Sequence, residues 1–279
     1  MRIRPRITEV IAKGILFITT LFIIGILIFI IIFILERGVS HLSWAFFTEP
    51  IKDMGREGGI FPAIVGTAMI VLVAIIVATP LGVASSIYLA EYTKGGRATQ
   101  MIRFGINCLA AVPSIIFGLF GFILFVEILG FGWSILSGGL SLAAMVLPTI
   151  ISTSEEALRR VPRSYRDVVR SLGATRWRVV SKAVLPYALP GMLTGVILSI
   201  GRAVGETAVV IFTAGTAVQT PRSLLDSART MAVHFYVLAR EGISVEKAYA
   251  TATILICAIL VINAFAYILM HRMMRGKRV

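Results

Sequence analysis

The chain alternates long stretches without charge and short stretches dense in it. Residues 14–35 hold no charged side chain for 22 positions, enough at ~1.5 Å per residue to cross a ~30 Å hydrocarbon core as a helix. A cleaved secretory signal would have a shorter apolar core, ~7–15 residues, followed by a small-residue cleavage site, and the run fits neither feature. Five more apolar runs follow, at about 60–90, 104–128, 140–153, 187–215 and 251–271. Each reads as a helix, because lipid leaves no water for unpaired backbone groups and barrel strands would alternate in polarity. The pattern predicts an all-α, polytopic membrane protein with six transmembrane helices. It also predicts one membrane domain over 14–271, tails at 1–13 and 272–279, and a cytoplasmic loop at 154–186. Pro80, Pro113, Pro148, Pro190, Gly118 and Gly121 fall inside the runs and predict kinks of the kind membrane helices tolerate.

Composition agrees. The chain is 57% hydrophobic and 15% charged, with mean hydropathy +0.91, where soluble domains are ~45–50% apolar and ~25% charged. A soluble enzyme and a disordered chain are both excluded. The net charge of +13 suggests either a polyanion partner or the inner side of a membrane protein. Position decides between them. The tails, 91–103 and 154–186 carry nineteen Lys and Arg, whereas the alternate connections 36–59, 129–139 and 216–250 carry seven. That places both termini and the 154–186 loop in the cytoplasm. Cys108 and Cys257 lie inside apolar runs and read as small hydrophobic side chains.

The 154–186 loop is the longest basic stretch. Thr153 and Glu156 have capping-box spacing and predict a short helix that Pro162 interrupts. Ser164-Tyr165-Arg166-Asp167 predicts a second helix, ending at Gly173 as the residue past the cap. Thr175 predicts a third, through Trp177 to Leu185 and closed by Pro186. Such a platform suits a solvated loop against anionic headgroups or a dock for a cytoplasmic partner. A nucleic-acid helix-turn-helix lacks its third packing helix here, so no nucleic-acid partner is expected.

The fifth run holds Arg202 and Glu206. Spaced i,i+4, they would share a helix face and neutralise each other, either as a structural ion pair or as part of a translocation path. Intramembrane charge is costly and therefore points to function. A guanidinium fork matches the paired oxygens of a tetrahedral oxyanion. A carboxylate beside it accepts a hydrogen bond from a P–OH group, which phosphate keeps at neutral pH and sulfate does not.

Asp167-Val168-Val169-Arg170-Ser171-Leu172-Gly173, nine residues, then Ala183-Val184-Leu185-Pro186 resembles the EAA loop of ABC-importer permeases. Asp-Val-Val stands for Glu-Ala-Ala and Ala183 for Ile, with the spacing kept. Arg202-Ala-Val-Gly-Glu-Thr, Phe212-Thr-Ala-Gly, Leu42-Ser-Trp-Ala-Phe-Phe-Thr, Ile87-Tyr-Leu-Ala-Glu-Tyr and Leu172-Gly-Ala-Thr-Arg-Trp are similar to the permeases of phosphate-specific transport systems, from about residue 40 to the C-terminus. The resemblance implies that Asp167, Ser171, Leu172, Gly173, Ala174, Leu185 and Pro186 couple to an ATPase, and that Arg202, Glu206 and Thr207 line the phosphate path. It implies three partners: a homologous permease, a dimeric ATPase holding ATP and Mg, and a phosphate-binding protein. This chain has no G-x-x-x-x-G-K-[ST] loop of its own, so it is read as a permease and not an enzyme. Its location is the inner membrane, in contact with lipid. Permeases for phosphonate, sulfate or molybdate, and an ion-coupled secondary carrier using Glu206, are the alternatives.

Outside, Leu224, Leu225, Ala228, Met231, Phe235 and Leu238 predict an amphipathic helix within 221–249 along the outer interface. His41 and His234 read as structural, and Glu127 as reaching the outer interface.

Overall fold

The computed structural model describes residues 5–93 and 95–275; tail residues 1–4 and 276–279, and Lys94, lie outside the described residues. The first apolar run becomes α1 (Pro5–Val39). A short helix α2 (Trp44–Thr48), capped by the Ser43 hydroxyl accepting from Phe46 N, leads to a small hairpin, β1 (Ile51–Lys52) with β2 (Glu57–Gly58). α3 (Phe61–Ile87) runs on into a π-helical turn at Tyr88–Tyr92. α4 (Arg97–Ala110) and α5 (Ser114–Gly121) follow, with a second π-helical stretch at Phe122–Ile128. Then come α6 (Ile135–Arg159), α7 (Arg163–Ser171), α8 (Arg176–Val179), a π turn at Val180–Val184, and α9 (Leu185–Val204). α10 (Ala208–Thr213), α11 (Met231–Arg240) and α12 (Val245–Arg275) complete the chain.

Five helices among the described residues are long and apolar enough to cross a membrane, and six if the bent pair Arg97–Ala110 and Ser114–Ile128 is one span. The kink expected at Pro113 is a sharp one: the two halves meet at 98°. Pro113 lacks the N–H that would continue the ladder, and its own backbone is extended, with φ −58° and ψ 141°, whereas Pro80, Pro148 and Pro190 stay inside continuous helices.

Two further boundaries differ from expectation for local reasons. Thr153 starts no helix. The fourth span runs unbroken through it to Arg159, and the Thr153 hydroxyl donates back to Thr149 O at 2.7 Å. Pro186 ends none either, since α8, the π turn and α9 form one apolar helix over Arg176–Val204. The π turn and the first-turn position of Pro186 absorb the lost donor.

The core lies between α3, α6 and α9, with Ile70, Leu142, Met145, Val146 and Ile150 buried. Small residues bring these helices together, as packing in lipid requires. A Cβ on Gly139 of α6 would stand 2.6 Å from Val73 Cβ of α3, and one on Gly195 of α9 would stand 2.8 Å from Thr153 Cβ. Gly139→Ala is therefore expected to destabilise the detergent-solubilised protein by about 1–3 kcal/mol, read as a lower thermal midpoint. An unchanged midpoint would remove the close approach as a source of stability.

α1 stands apart from this core. Its apolar window is fully exposed in the single chain, and it touches α12, where Thr253 Oγ1 donates to Ile34 O at 3.3 Å.

The outer segment is also corrected. Within 221–249, helix forms over Met231–Arg240 and again from Val245, where α12 begins. Leu224 and Leu225 are exposed in irregular chain, where Asp226 Oδ2 accepts from Arg222 N at 2.7 Å and Ser223 N at 2.9 Å. Those donors hold the Asp226 carboxyl below its ordinary range. α11 packs over the bundle, with Met231, Val233, His234 and Leu238 buried.

His234 is structural, as expected. Burial first, then the Arg229 and Lys247 charges, push its pKa down to about 3 from an ordinary 6.5. The folded protein therefore holds His234 neutral while the unfolded chain protonates it. This contribution is complete above pH ~6.5 and is lost as pH falls, by about 1.4 kcal/mol per unit. Thermal melts at about pH 7.5 and 5.5 should show an acid loss that His234→Gln reduces. Equal acid loss in the variant would contradict this.

His41 pairs with Glu246 at 3.5 Å, Glu127 is exposed, and Cys108 and Cys257 are free and exposed.

Candidate functional site

The fifth span is where the structure departs most usefully from the pattern. A continuous helix was expected over 187–215; instead α9 stops at Val204 and α10 starts at Ala208. Gly205 weakens the helix at this point. Glu206 then replaces the lost backbone bonds, its Oε1 accepting from Thr207 N at 3.2 Å and Ala208 N at 3.1 Å. The carboxylate caps the second half-helix, where negative charge is favoured.

Arg202 lies in the last turn of α9, where positive charge is favoured. The break separates the two groups, so the expected Arg202–Glu206 ion pair does not form: no contact within 4 Å joins them among the described residues. The Arg202 side chain is exposed and has no hydrogen bond or ion pair among the described residues. Glu206 and Thr207 are half-buried. Over the adjacent Gly201 lies the amide of Asn263 from α12, whose Oδ1 is 3.5 Å from where a Gly201 Cβ would sit. Asn263 is a polar group in an apolar helix, and the sequence pattern did not single it out.

The carboxylate's two roles separate by substitution. Glu206→Gln keeps an oxygen for the cap, whereas Glu206→Ala removes it at about 1 kcal/mol. A thermal midpoint lowered in the alanine variant and kept in the glutamine variant is the expected result. Equal midpoints in both would argue against the cap.

At the other end of the helix, α7, α8 and the turn between them form a platform. The predicted stop holds: Leu172 is the cap and Gly173 follows with φ 76°, its N–H donating to Arg170 O at 2.9 Å. The Thr175 hydroxyl caps α8 by accepting from Arg178 N at 3.4 Å. Asp167, Ser171, Leu172 and Gly173 are exposed, and Ala174, Leu185 and Pro186 half-buried. Leu172 is 81% exposed, and Tyr165, Val168 and Trp177 of the same platform are exposed too, a grouping of apolar side chains of the kind that marks an interaction surface. Tyr165, Val168, Val169, Ala183, Pro186 and Tyr187 help line a groove of ≈ 690 Å³ beside it. Underneath, Leu158, Val161, Val179, Val184, Ala188 and Met192 form a separate buried cluster that holds the platform rigid.

Sequence reasoning missed the charged groups that fasten this platform. Arg166 donates to Glu91 Oε1 at 2.6 Å, to Val161 O at 2.5 Å and to Leu158 O at 2.9 Å. Arg103 and Arg159 both reach Glu155 Oε1, at 2.8 and 3.0 Å. In the sequence, Arg166 is one of eight basic residues in 154–186 and nothing distinguishes it from the rest. Glu91, an acid at the inner end of a span on the basic side, was the available signal.

Comparisons with known proteins agree with this architecture. Residues 78–279 match the family described as binding-protein-dependent transport system inner membrane component. The chain is 31% identical to the probable ABC transporter permease protein YqgI of Bacillus subtilis (strain 168), over 94% of each chain. It is 32% identical to the phosphate transport system permease protein PstA of Pasteurella multocida (strain Pm70), over 87% of each. Among solved structures, it resembles an inward-facing MetNI methionine ABC transporter at TM-score 0.66 and 16% identity, covering 77% of this chain and 95% of that one. A bacterial ABC transporter for import of the acidic polysaccharide alginate matches at TM-score 0.64 and 16% identity, over 96% of this chain and 99% of that one. These two likenesses establish the fold. With the family match over most of its length and curated relatives above 30% identity, the chain belongs to the binding-protein-dependent transport system inner membrane components, the permease subunits of ABC importers.

Proposed function

We propose that this permease carries inorganic phosphate into the cytoplasm. The observation that carries the reading is Arg202: a guanidinium with no partner among the described residues, exposed at the break of a membrane helix. Relatives named as phosphate transport permeases support it. An unpaired charge facing lipid would cost at least a few kcal/mol. On the exposed face of one permease it can instead meet the second permease and the path between them. Arg202 grips the phosphate oxygens, Glu206, capping α10, holds the break open and accepts from P–OH, and Thr207 adds a hydroxyl.

The complex is a PstC-like sister permease, a PstB-like ATPase dimer holding ATP and Mg, and a PstS-like phosphate-binding protein at the outer face. It is embedded in inner-membrane lipid with no role for nucleic acid. The chain forms one membrane domain over 14–271, with tails 1–13 and 272–279 and both termini cytoplasmic. Asp167, Ser171, Leu172, Gly173, Ala174, Leu185 and Pro186 form the face and rim of the ATPase dock. Sulfate and molybdate carry no proton at neutral pH, so a site with a fixed carboxylate disfavours them; an ion-coupled carrier would leave the exposed dock unused.

Copurification tests the dock: the ATPase should come down with the wild type and be lost with Asp167→Arg. Equal recovery would remove this surface from the interface.

A further inference from the structure

We propose that Arg166 and Glu91 form the joint through which the cytoplasmic dock drives the membrane helices. This rests on the reading of α7 and its loop as an ATPase dock. Arg166 stands in the first turn of α7, and Glu91 in the π turn that prolongs α3. The guanidinium faces the carboxylate side-on, Nη2 and Nε donating to Oε1 at 2.6 and 3.2 Å and Nε also to Oε2 at 3.3 Å. It also donates to Leu158 O, in the last turn of α6, at 2.9 Å and to Val161 O, just past that helix, at 2.5 Å. One side chain therefore ties the dock to the inner ends of both α3 and α6, the two helices packed through Gly139.

Among the described residues, the other long-range carboxylate–arginine pair, Arg103 with Glu155, joins α4 to α6 and leaves the dock untouched. Lys13–Glu9, Lys52–Glu49 and Arg160–Glu156 are exposed pairs within one turn. Arg166 and Glu91 are 75 residues apart, with side chains only 13% and 7% exposed.

Burial gives such a pair little net stability. What it supplies is direction. A planar fork bonded to a carboxylate and two carbonyls cannot slide, whereas apolar contacts such as those of Val161 and Leu158 can. Displacement of α7 by the ATPase would then move α3 and α6 together, and with them α9, which packs on α6 at Gly195. Lysine offers a point charge without the fork and should not transmit the movement.

The test uses the complete reconstituted complex and reads three quantities: ATPase recovery, ATP hydrolysis, and phosphate imported per ATP. Arg166→Lys should keep the first two and lower the third about tenfold or more, the range of ordinary coupling between sites. Losing the fork inside a buried pair can also unfold the chain, so the double replacement Glu91→Leu with Arg166→Met serves as a second variant. It leaves no buried charge unpaired, should assemble, and should show the same loss. Import per ATP at the wild-type value in the double variant would overturn the proposal. So would loss of the ATPase from a monodisperse double variant, because the pair would then only shape the dock. Failure of the dock reading itself looks different: the ATPase would not come down with the wild-type permease at all.

Discussion

Arg202→Lys is expected to lower ATP-dependent phosphate import by roughly 30- to 150-fold while the complex still assembles. The magnitude is that of a lost charge-assisted fork, about 2–3 kcal/mol at ~1.4 kcal/mol per tenfold. Assembly should survive because the Arg202 side chain is exposed and has no hydrogen bond or ion pair among the described residues. A lysine keeps the charge at the end of α9, so its interaction with the terminal carbonyls persists. Uptake of labelled phosphate into vesicles, compared with the yield of intact complex, separates the two effects. Wild-type import by Arg202→Lys would remove this residue from the path.

The second large effect is at Gly173. Its φ of 76° lies in the left-handed region, where a side chain with Cβ costs about 1–2 kcal/mol. Nothing lies within 4 Å of the position a Cβ would take, so Gly173→Val acts through the backbone alone. The turn should shift to relieve the strain and carry Leu172 away from its position at the apex of the platform. An apolar anchor central to an interface contributes about 2 kcal/mol or more. ATPase recovery should therefore fall about tenfold or more, with the permease itself folded. Undiminished recovery would show that the glycine turn does not set the docking geometry.

Much of this architecture was legible in the chain, and its failures have particular causes. Apolar length found the spans, because lipid punishes any unsatisfied backbone. Gly173 and Thr175 were readable because their roles are local, one set by φ and the other by a hydroxyl within a turn. Thr153 misled for the complementary reason. Capping-box spacing is equally compatible with a helix already under way, and here Thr153 bonds back to Thr149 while Glu156 turns to Arg160. Pro186 misled because a π turn ending two residues earlier and its place in the first turn of α9 leave its missing N–H without consequence.

At the site, Arg202 and Glu206 were found by their charge, but their relation was not. The i,i+4 rule assumes an unbroken helix, and Glu206 itself helps make the break by capping α10. The Arg166–Glu91 joint was invisible because its partners are 75 residues apart, and only the folded arrangement of α3, α6 and α7 brings them together. Asn263 was overlooked as one amide in a long apolar run, and its place over Gly201 depends on the packing of α12 against α9.

The central claim is that an unpaired arginine at a helix break selects phosphate in an ATP-driven importer. The most direct measurement is competition: labelled phosphate uptake into vesicles holding the full complex, with ATP inside and unlabelled phosphate, sulfate, molybdate or phosphonate outside. Uptake should need ATP and be suppressed by unlabelled phosphate but not by sulfate or molybdate. Uptake driven by an ion gradient without ATP, or suppressed equally by sulfate, would contradict it.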